Sequence, residues 1–468
     1  AAAEQWQEIR PLMPLYIHII LSALFPIYTG AHASLSRPAS AAKPSKQGKR
    51  QALADEEDDE EDVVQKMEGL SPKDAILFPI TAGIVLAGLY FLIQRYGAKL
   101  INLILGWYFA GVGVYSVAKL TNDAVNVAIS FILPTYYGQG GKLWKVDGAK
   151  RKSTSQSKTG EQTTRNSPIP YLPAFSKTFF DAIWTLRAAI KQRYTTKAYI
   201  HDLLDLKANL TLINFSSALI GIASVLYSNL VAKPWWLINL QGFAVCYSAM
   251  QFMSPTTFTT GSLILAGLFC YDIWAVFFTP LMVTVAKNLD QPIKLIFPRP
   301  DEPSAVPGEP PIKGYSMLGL GDIVLPGIMI GLALRFDLYM FYLKKQRKSS
   351  KAAEGGKEDV AVEKAPYVPV TGLHGDRFWT FWLPAGDRPE KLRASFPKPY
   401  FTASMVGYVV GMITTLGIMS FFNHAQPALL YLVPGVLLSL WGTALLRGEL
   451  KEMWNFTEAI NAEQVEEE

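Results

Sequence analysis

The chain has 468 residues, of which 50% are hydrophobic, with a net charge of +5 and a mean hydropathy of +0.17. In a soluble protein of this length, the apolar residues would recur at helical or strand period. Here they stand in blocks of about twenty, separated by very polar tracts, as is typical of membrane-spanning segments. The composition excludes an ordinary soluble domain, and we expect no nucleic-acid partner.

The apolar blocks have the length that a helix needs to cross roughly 30 Å of hydrocarbon. We predict an all-α polytopic membrane protein with nine transmembrane helices. Residues 121–133 either prolong the third helix or lie along the interface. We expect the first block to be an uncleaved span and not a signal peptide, because no small-residue cleavage site precedes Gly30. The predicted spans are 11–29, 76–94, 100–118, 209–229, 234–253, 258–281, 316–340, 399–421 and 427–446.

The distribution of basic residues predicts the orientation of these spans. With a non-cytoplasmic N-terminus, 34 of the 44 lysines and arginines fall in cytoplasmic segments and 8 on the opposite side. This bias fits the positive-inside rule and gives a cytoplasmic C-terminus. The predicted organisation is N-terminus and first span (1–30), cytoplasmic loop (31–75), spans two and three (76–133), cytoplasmic loop (134–208), spans four to six (209–281), non-cytoplasmic loop (282–315), span seven (316–340), cytoplasmic loop (341–398), spans eight and nine (399–446) and cytoplasmic tail (447–468).

The polar loops carry two further expectations. Segments 31–74 and 345–365 have too few apolar residues to repay the entropy of ordering, so both are predicted to be disordered. The acidic run 55–62 is read as solvated. The segment AFSKTFFDAIWTLRAAIKQRY (174–194) predicts an amphipathic helix that lies on the membrane surface or packs on neighbouring loops. Its apolar stripe consists of Phe175, Phe179, Ile183, Leu186 and Ile190.

Two acidic residues lie inside predicted spans, Asp272 in span six and Asp322 in span seven. A carboxylate in the hydrocarbon region costs about 2.5–3.5 kcal/mol on insertion scales, so it needs a partner or a functional reason. Because these two lie on consecutive spans, each is expected to be the partner of the other. Two carboxyl groups that share one proton are the acid and the base of aspartic proteases.

Three short motifs surround these acids and open the last span. Each motif alone recurs by chance, but the three in this order, each inside or at the mouth of a predicted span, are highly specific. The motifs are Tyr271-Asp272, Gly319-Leu320-Gly321-Asp322 and Gln426-Pro427-Ala428-Leu429. Together with LMVTVAKNLDQPIKLIFP (281–298), they resemble the signal peptide peptidase branch of the presenilin-type intramembrane aspartyl proteases. One departure is YDIWAVF, where the family usually has an aromatic pair after the YD motif.

The resemblance implies a nine-helix fold and an aspartic endopeptidase of the endoplasmic reticulum membrane, with a lumenal N-terminus. Its substrates would be transmembrane segments of remnant signal peptides and type II membrane proteins. Asp272 and Asp322 would be the catalytic pair, with water as the co-substrate and no metal or organic cofactor. The residues expected to shape the substrate site are Tyr271, Gly319, Leu320, Gly321, Gln426, Pro427, Ala428 and Leu429.

Physical reasons accompany several of these assignments. Gly319 and Gly321 are expected to let span seven approach span six closely. Pro427 should start span nine, because proline suits the first turn of a helix. Unwound substrate would bind through backbone hydrogen bonds, with PIKLIFP (292–298) as a second edge. Asp337 is expected to form an interfacial ion pair with Arg335.

Two other functions stay open on the sequence alone. Intramembrane acids also mark transporters, although we find no inverted repeat or paired broken helices. A non-proteolytic receptor for membrane quality control is the stronger alternative. The expected partners are the lipid bilayer and transmembrane peptides, with the degradation machinery of the endoplasmic reticulum and a second copy of the chain as further candidates.

Overall fold

The computed structural model describes residues 10–42, 67–148, 150–156, 162–170, 176–200, 204–289, 293–299, 314–352, 358–422 and 426–458. The acidic run 55–62 lies outside this part of the chain. Helices dominate. They are α1 (Met13–Ala33), α2 (Pro72–Tyr96), α3 (Ala98–Ile132), α4 (Lys177–Lys191), α5 (Leu212–Leu230), α6 (Trp235–Phe252), α7 (Phe258–Phe277), α8 (Leu281–Asn288), α9 (Gly321–Lys345), α10 (His374–Thr380), α11 (Glu390–Arg393), α12 (Pro399–Phe422), α13 (Leu429–Arg447) and α14 (Leu450–Asn455).

Short strands connect or cap these helices. β1 pairs in parallel with β8, and β9 pairs antiparallel with β10. The strands are β1 (Glu68–Leu70), β2 (Tyr136–Gln139), β3 (Lys142–Asp147), β4 (Lys152–Gln156), β5 (Gln162–Arg165), β6 (Arg193–Ile200), β7 (Leu204–Thr211), β8 (Met253–Pro255), β9 (Lys294–Pro298), β10 (Tyr315–Gly319), β11 (Arg347–Ala352) and β12 (Glu358–Glu363).

Eight helices among the described residues are long and apolar enough to span a membrane, namely α1, α2, α3, α5, α7, α9, α12 and α13. The all-α polytopic prediction is confirmed. The predicted fifth span forms α6, whose composition is too polar to count with these eight. Its buried Asn239 bonds to both backbone groups of Ile296 in β9, and Gln241 donates to Ser224 in α5. The count of nine therefore stays a prediction.

Helix α9 forms the centre of the bundle. In its most apolar stretch, 83% of the residues are buried, and α1, α6, α7, α12 and α13 pack around it. Helix α2 is the opposite case, with 6% of the equivalent stretch buried and its main contact on α7. Helix α9, which carries Asp322, is thus surrounded by other helices. Helix α2, which packs on the Asp272 helix α7, lies at the periphery of the bundle.

Two predicted span boundaries are wrong. Span six was expected to reach residue 281, but α7 ends at Phe277 and a separate helix starts at Leu281. Span seven was expected from residue 316, whereas residues Tyr315–Gly319 form β10 and the helix begins at Gly321. The reason is visible in the burial of β10, which alternates between exposed and buried side chains with a period of two.

The loop 134–208 contains more structure than the predicted amphipathic helix. Strands β2 to β5 form an antiparallel sheet, and α4 packs against it. The buried residues of α4 are Trp184 and Arg187, which donate to the backbone carbonyls of Asn166 and Pro134. In the predicted apolar stripe, by contrast, Phe179 and Leu186 are exposed, and Phe175 lies outside the described residues. Packing on neighbouring loops is the better account of α4.

The two segments predicted to be disordered are partly ordered. In 31–74, residues Glu68–Leu70 form β1 and pair with β8. In 345–365, strands β11 and β12 form a hairpin whose register places Arg347 opposite Glu363. The prediction of disorder is therefore wrong for these strands.

Helices α12 and α13 pack with their backbones in contact. A Cβ atom added to Gly407 would overlap the carbonyl oxygen of Gly435, and one added to Gly435 would overlap that of Gly407. At Gly411 an added Cβ would lie 2.8 Å from the carbonyl oxygen of Tyr431. The absence of side chains at these positions sets how closely the two helices approach.

We predict that Gly407→Val lowers the free energy of unfolding by about 1–3 kcal/mol, because the added side chain forces α12 and α13 apart. Thermal unfolding in detergent should show a lower midpoint. The matched control is Gly442→Val in α13, where an added Cβ meets no atom within 4 Å. An equal fall in both variants would contradict the packing role of Gly407.

Candidate active site

The two intramembrane aspartates meet at one end of the bundle. Asp272 lies five residues before the end of α7, about 7.5 Å along the axis, and Asp322 lies in the first turn of α9. Asp322 is therefore closer to its helix end than the predicted span implied. Asp272 is buried, Asp322 is partly exposed, and the two carboxyl groups are close enough to interact electrostatically. Among the described residues, no cluster of His, Cys, Asp and Glu could hold a metal ion.

The Gly-Leu-Gly-Asp motif lies at the junction of β10 and α9. Gly319 ends the strand, and a Cβ atom there would lie 3.3 Å from Oδ2 of Asp322. A Cβ on Gly321 would meet only Leu325, at 3.9 Å. The expectation that both glycines admit span six is not met, because neither faces that helix. Gly319 instead leaves room for the carboxylate of Asp322.

Leu320 anchors this junction. Its side chain is buried against α6, where a Cβ on Gly242 would lie 3.3 Å from it. Its backbone N–H donates to the carbonyl of Ile293, which extends the β9–β10 hairpin by one bond. The other edge of β9 is occupied by Asn239 of α6. In the described part of the expected second edge, residues 293–298, the backbone of Ile296 is therefore already bonded. Among the described residues, no strand pairs with the second edge of β10.

The third motif contacts Asp272 directly. Helix α13 begins at Leu429, and the backbone N–H of Leu429 donates to Oδ2 of Asp272 at 3.1 Å. The first N–H groups of a helix have no partner within it, so they are available to an anion. Pro427 is buried two residues before the helix, close to the predicted start, and the side chain of Gln426 accepts from the hydroxyl of Tyr431. Ala428 occupies the N-cap position of α13.

The side chain of Tyr271 lies against helix α2. Its ring lies 3.7 Å from the position of a Cβ on Gly83 of α2. Nearby on the same pair of helices, a Cβ on Gly267 would lie 2.6 Å from Pro79. Tyr271 thus forms part of the contact between α2 and α7, and its expected role in substrate binding stays a prediction.

Two residues join α9 to α12 in ways that the sequence did not predict. Tyr408 of α12 is fully buried, and its hydroxyl donates to the backbone carbonyl of Asp322 at 3.2 Å. Asp337 accepts from the backbone N–H groups of Tyr400 and Phe401, at 3.2 and 2.9 Å, in the first turn of α12. The sequence signal for this role of Asp337 was Pro399, because proline is typical of the first turn of a helix, where the backbone N–H groups need an acceptor. Helix α9 thus holds α12 at two points.

The expected ion pair between Asp337 and Arg335 is wrong. The guanidinium of Arg335 binds Glu458 instead, and Asp337 serves the backbone of α12. On a helix, residues two positions apart point in different directions, so adjacency in sequence does not bring these side chains together.

We predict that Asp337→Ala destabilises the fold by several kcal/mol, because two buried N–H groups lose their acceptor, at a cost of about 1–3 kcal/mol each. The thermal unfolding midpoint in detergent measures the effect. Asp181→Ala on the exposed side of α4 is the control and should leave the midpoint unchanged. An unchanged midpoint for Asp337→Ala would show that the cap does not support α12.

Comparisons with known proteins agree with this arrangement. The family model described as signal peptide peptidase matches residues 60–460. The signal peptide peptidases of Mus musculus and Homo sapiens are each 28% identical to the chain over 392 residues, which cover 84% of this chain and 75% of each relative. Intramembrane protease 2 of Caenorhabditis elegans is 33% identical over 249 residues, which cover 53% of this chain and 44% of that protein.

The matched region includes both aspartates and all three motifs. The geometry and the family model therefore lead to the same conclusion. The chain belongs to the signal peptide peptidase family and is an intramembrane aspartyl protease of the presenilin type.

Proposed function

We propose that Asp272 and Asp322 are the catalytic pair and that they hydrolyse peptide bonds within transmembrane segments. The observations that carry the proposal are the contact between α7 and α9, whose aspartates lie at the same end of the bundle, and the hydrogen bond from the N-terminus of α13 to Asp272. In aspartic proteases two carboxyl groups share one proton, and we propose the same state for this pair. Such a pair supplies a base and an acid together.

The hydrogen bond from Leu429 suggests how the two roles divide. An N–H donor at a helix N-terminus stabilises negative charge on the oxygen that accepts it, which here belongs to Asp272. In our proposal, Asp272 takes a proton from water as the water oxygen attacks the scissile carbonyl carbon. Asp322 donates its proton to the carbonyl oxygen. The tetrahedral intermediate then breaks its C–N bond as the leaving amine takes up a proton from Asp272. The hydroxyl formed from the carbonyl oxygen returns its proton to Asp322, which restores the starting state of the pair.

The substrate class follows from the family. Two relatives are named signal peptide peptidases. The positive-inside bias supports our proposal of a lumenal N-terminus and a cytoplasmic C-terminus. We infer that the substrates are remnant signal peptides and type II membrane proteins in the endoplasmic reticulum membrane. Association with the degradation machinery of that membrane, and with a second copy of the chain, belongs to the same proposal.

The open edge of β10 is the part of the site best suited to hold unwound substrate. The backbone bond from Arg299 to Gly314 sets the register, in which the even-numbered residues of β10 bond to β9. The N–H and C=O groups of Met317 therefore point to the opposite edge. This edge ends at Gly319, three residues before Asp322. An extended peptide bound there would reach the aspartates through main-chain hydrogen bonds.

We predict that Met317→Pro slows cleavage at least tenfold, because it removes a donor from the open edge while leaving the bonds between β9 and β10 intact. Turnover of a transmembrane peptide in detergent measures the effect. Met317→Ala is the matched control, since it keeps the N–H group and changes only an exposed side chain. Equal rates for the two variants would remove this edge from the substrate site.

We predict that Asp272→Asn and Asp322→Asn each abolish cleavage of a reconstituted signal peptide while the protein stays folded, because an amide cannot exchange the proton. The peptide product and the thermal midpoint are measured together. Asp123→Asn is the control, since Asp123 accepts from Tyr247 and lies outside the proposed pair.

Turnover retained in either variant of the pair would exclude the mechanism. The same variants separate the alternatives. A pure receptor would keep its cellular effect without the aspartates, and a transporter would show substrate flux in liposomes with no peptide product.

A further inference from the structure

The segment that follows α13 folds back onto the bundle at the end opposite the two aspartates. Phe456 packs its ring against Phe258, the first residue of α7, and against Phe336 of α9, with ring centroids 5.8 and 5.2 Å apart. Thr457 forms an antiparallel bridge with Thr257, directly before α7. The tail thus fills the junction between the two helices that carry the aspartates.

A buried arginine of α9 binds both the tail and β8, the strand that precedes α7. Arg335 of α9 is 5% exposed, and its Nε binds the carboxylate of Glu458. Its Nη2 donates to the hydroxyl of Ser254 in β8 at 2.6 Å, and that hydroxyl in turn binds Glu458. The backbone N–H of Glu458 donates to the carbonyl of Thr256 at 2.8 Å. We call Arg335, Ser254 and Glu458 the C-terminal clamp.

The clamp is better suited to fixing geometry than to adding stability. A buried ion pair gains little net free energy, because the loss of hydration offsets the attraction, and its best-attested use is to specify register. Arg335 lies 13 residues from Asp322, about 20 Å along α9, and Phe258 lies 14 residues from Asp272, about 21 Å along α7. Both segments are helical throughout, although α9 contains Pro326. The separation of the two helices at one end therefore constrains their separation at the other.

We propose that Arg335 and Glu458 are positioning residues for peptide hydrolysis, which act by holding α7 and α9 at the separation that brings the two carboxyl groups together. The inference rests on the proposed catalytic role of Asp272 and Asp322. It follows that peptide hydrolysis depends on the C-terminal tail, although the tail contacts neither aspartate.

The first test is Glu458→Ala in the full chain, with a transmembrane peptide substrate in detergent. Displacement of catalytic groups by about 1 Å can cost 100-fold in rate, so kcat should fall by roughly 10- to 100-fold. KM should change by less than about threefold, because the substrate edge is at the far end of α9. The control is Glu452→Ala in α14, whose buried Oε2 has no hydrogen-bond partner among the described residues. Its kcat should equal that of the unchanged protein.

The second test restores the clamp by covalent means. Residues that face each other across an antiparallel bridge lie within disulfide range, so Thr257→Cys and Thr457→Cys are added to Glu458→Ala. Oxidation with diamide should return kcat to within about threefold of the unchanged protein, and reduction should remove the gain. Glu458→Ala with Thr457→Cys alone is the control and should not respond. If Glu458→Ala does not fold, the oxidised variant carries the test.

Either of two results would overturn the inference, namely a normal kcat in folded Glu458→Ala or a cross-link that forms without restoring kcat. A fall in the thermal midpoint with kcat unchanged would likewise assign the tail a structural role only. Failure of the catalytic proposal is recognised separately, because Asp272→Asn and Asp322→Asn would then retain turnover whatever the tail variants do.

Discussion

The hydrogen bond between the N-terminus of α13 and Asp272 is the interaction on which the site depends. It exists only because α13 begins at Leu429 and because that N–H group arrives beside α7. The position of α13 in turn follows from its backbone contact with α12 at Gly407 and Gly435. Helix α12 is fixed to α9 through Asp337. A chain of packing and hydrogen bonds therefore connects one aspartate to the helix that carries the other.

Helix α9 makes polar contacts towards both of its ends. At one end Asp322 presents its carboxyl group to Asp272, and Tyr408 binds its backbone carbonyl. At the other end Asp337 caps a neighbouring helix and Arg335 binds the tail. In a medium without water, each buried polar group needs such a partner. Helix α9 therefore lies at the centre of the fold and also carries one of the two proposed catalytic residues.

Several features of the site could be predicted from the sequence because their signals are local. The apolar blocks predict helices, and Asp272 and Asp322 stand out within them. The predictions that were wrong also came from local sequence patterns. Residues Tyr315–Gly319 are apolar enough to pass for the start of a span, since a short apolar run does not distinguish a strand from a helix. Gly319 was predicted to allow close packing of two helices, but the group next to it is the carboxylate of Asp322.

The sequence by itself determined the membrane class of this protein, the order of its motifs and the identity of its two intramembrane acids, because each is written in a run of about twenty residues. Only the tertiary structure decided which groups those acids meet and which residue pairs with Arg335. Arg335 and Glu458 are 123 positions apart, and Leu429 and Asp272 are 157. Such pairings leave no periodic trace in the chain, since they depend on how whole helices pack.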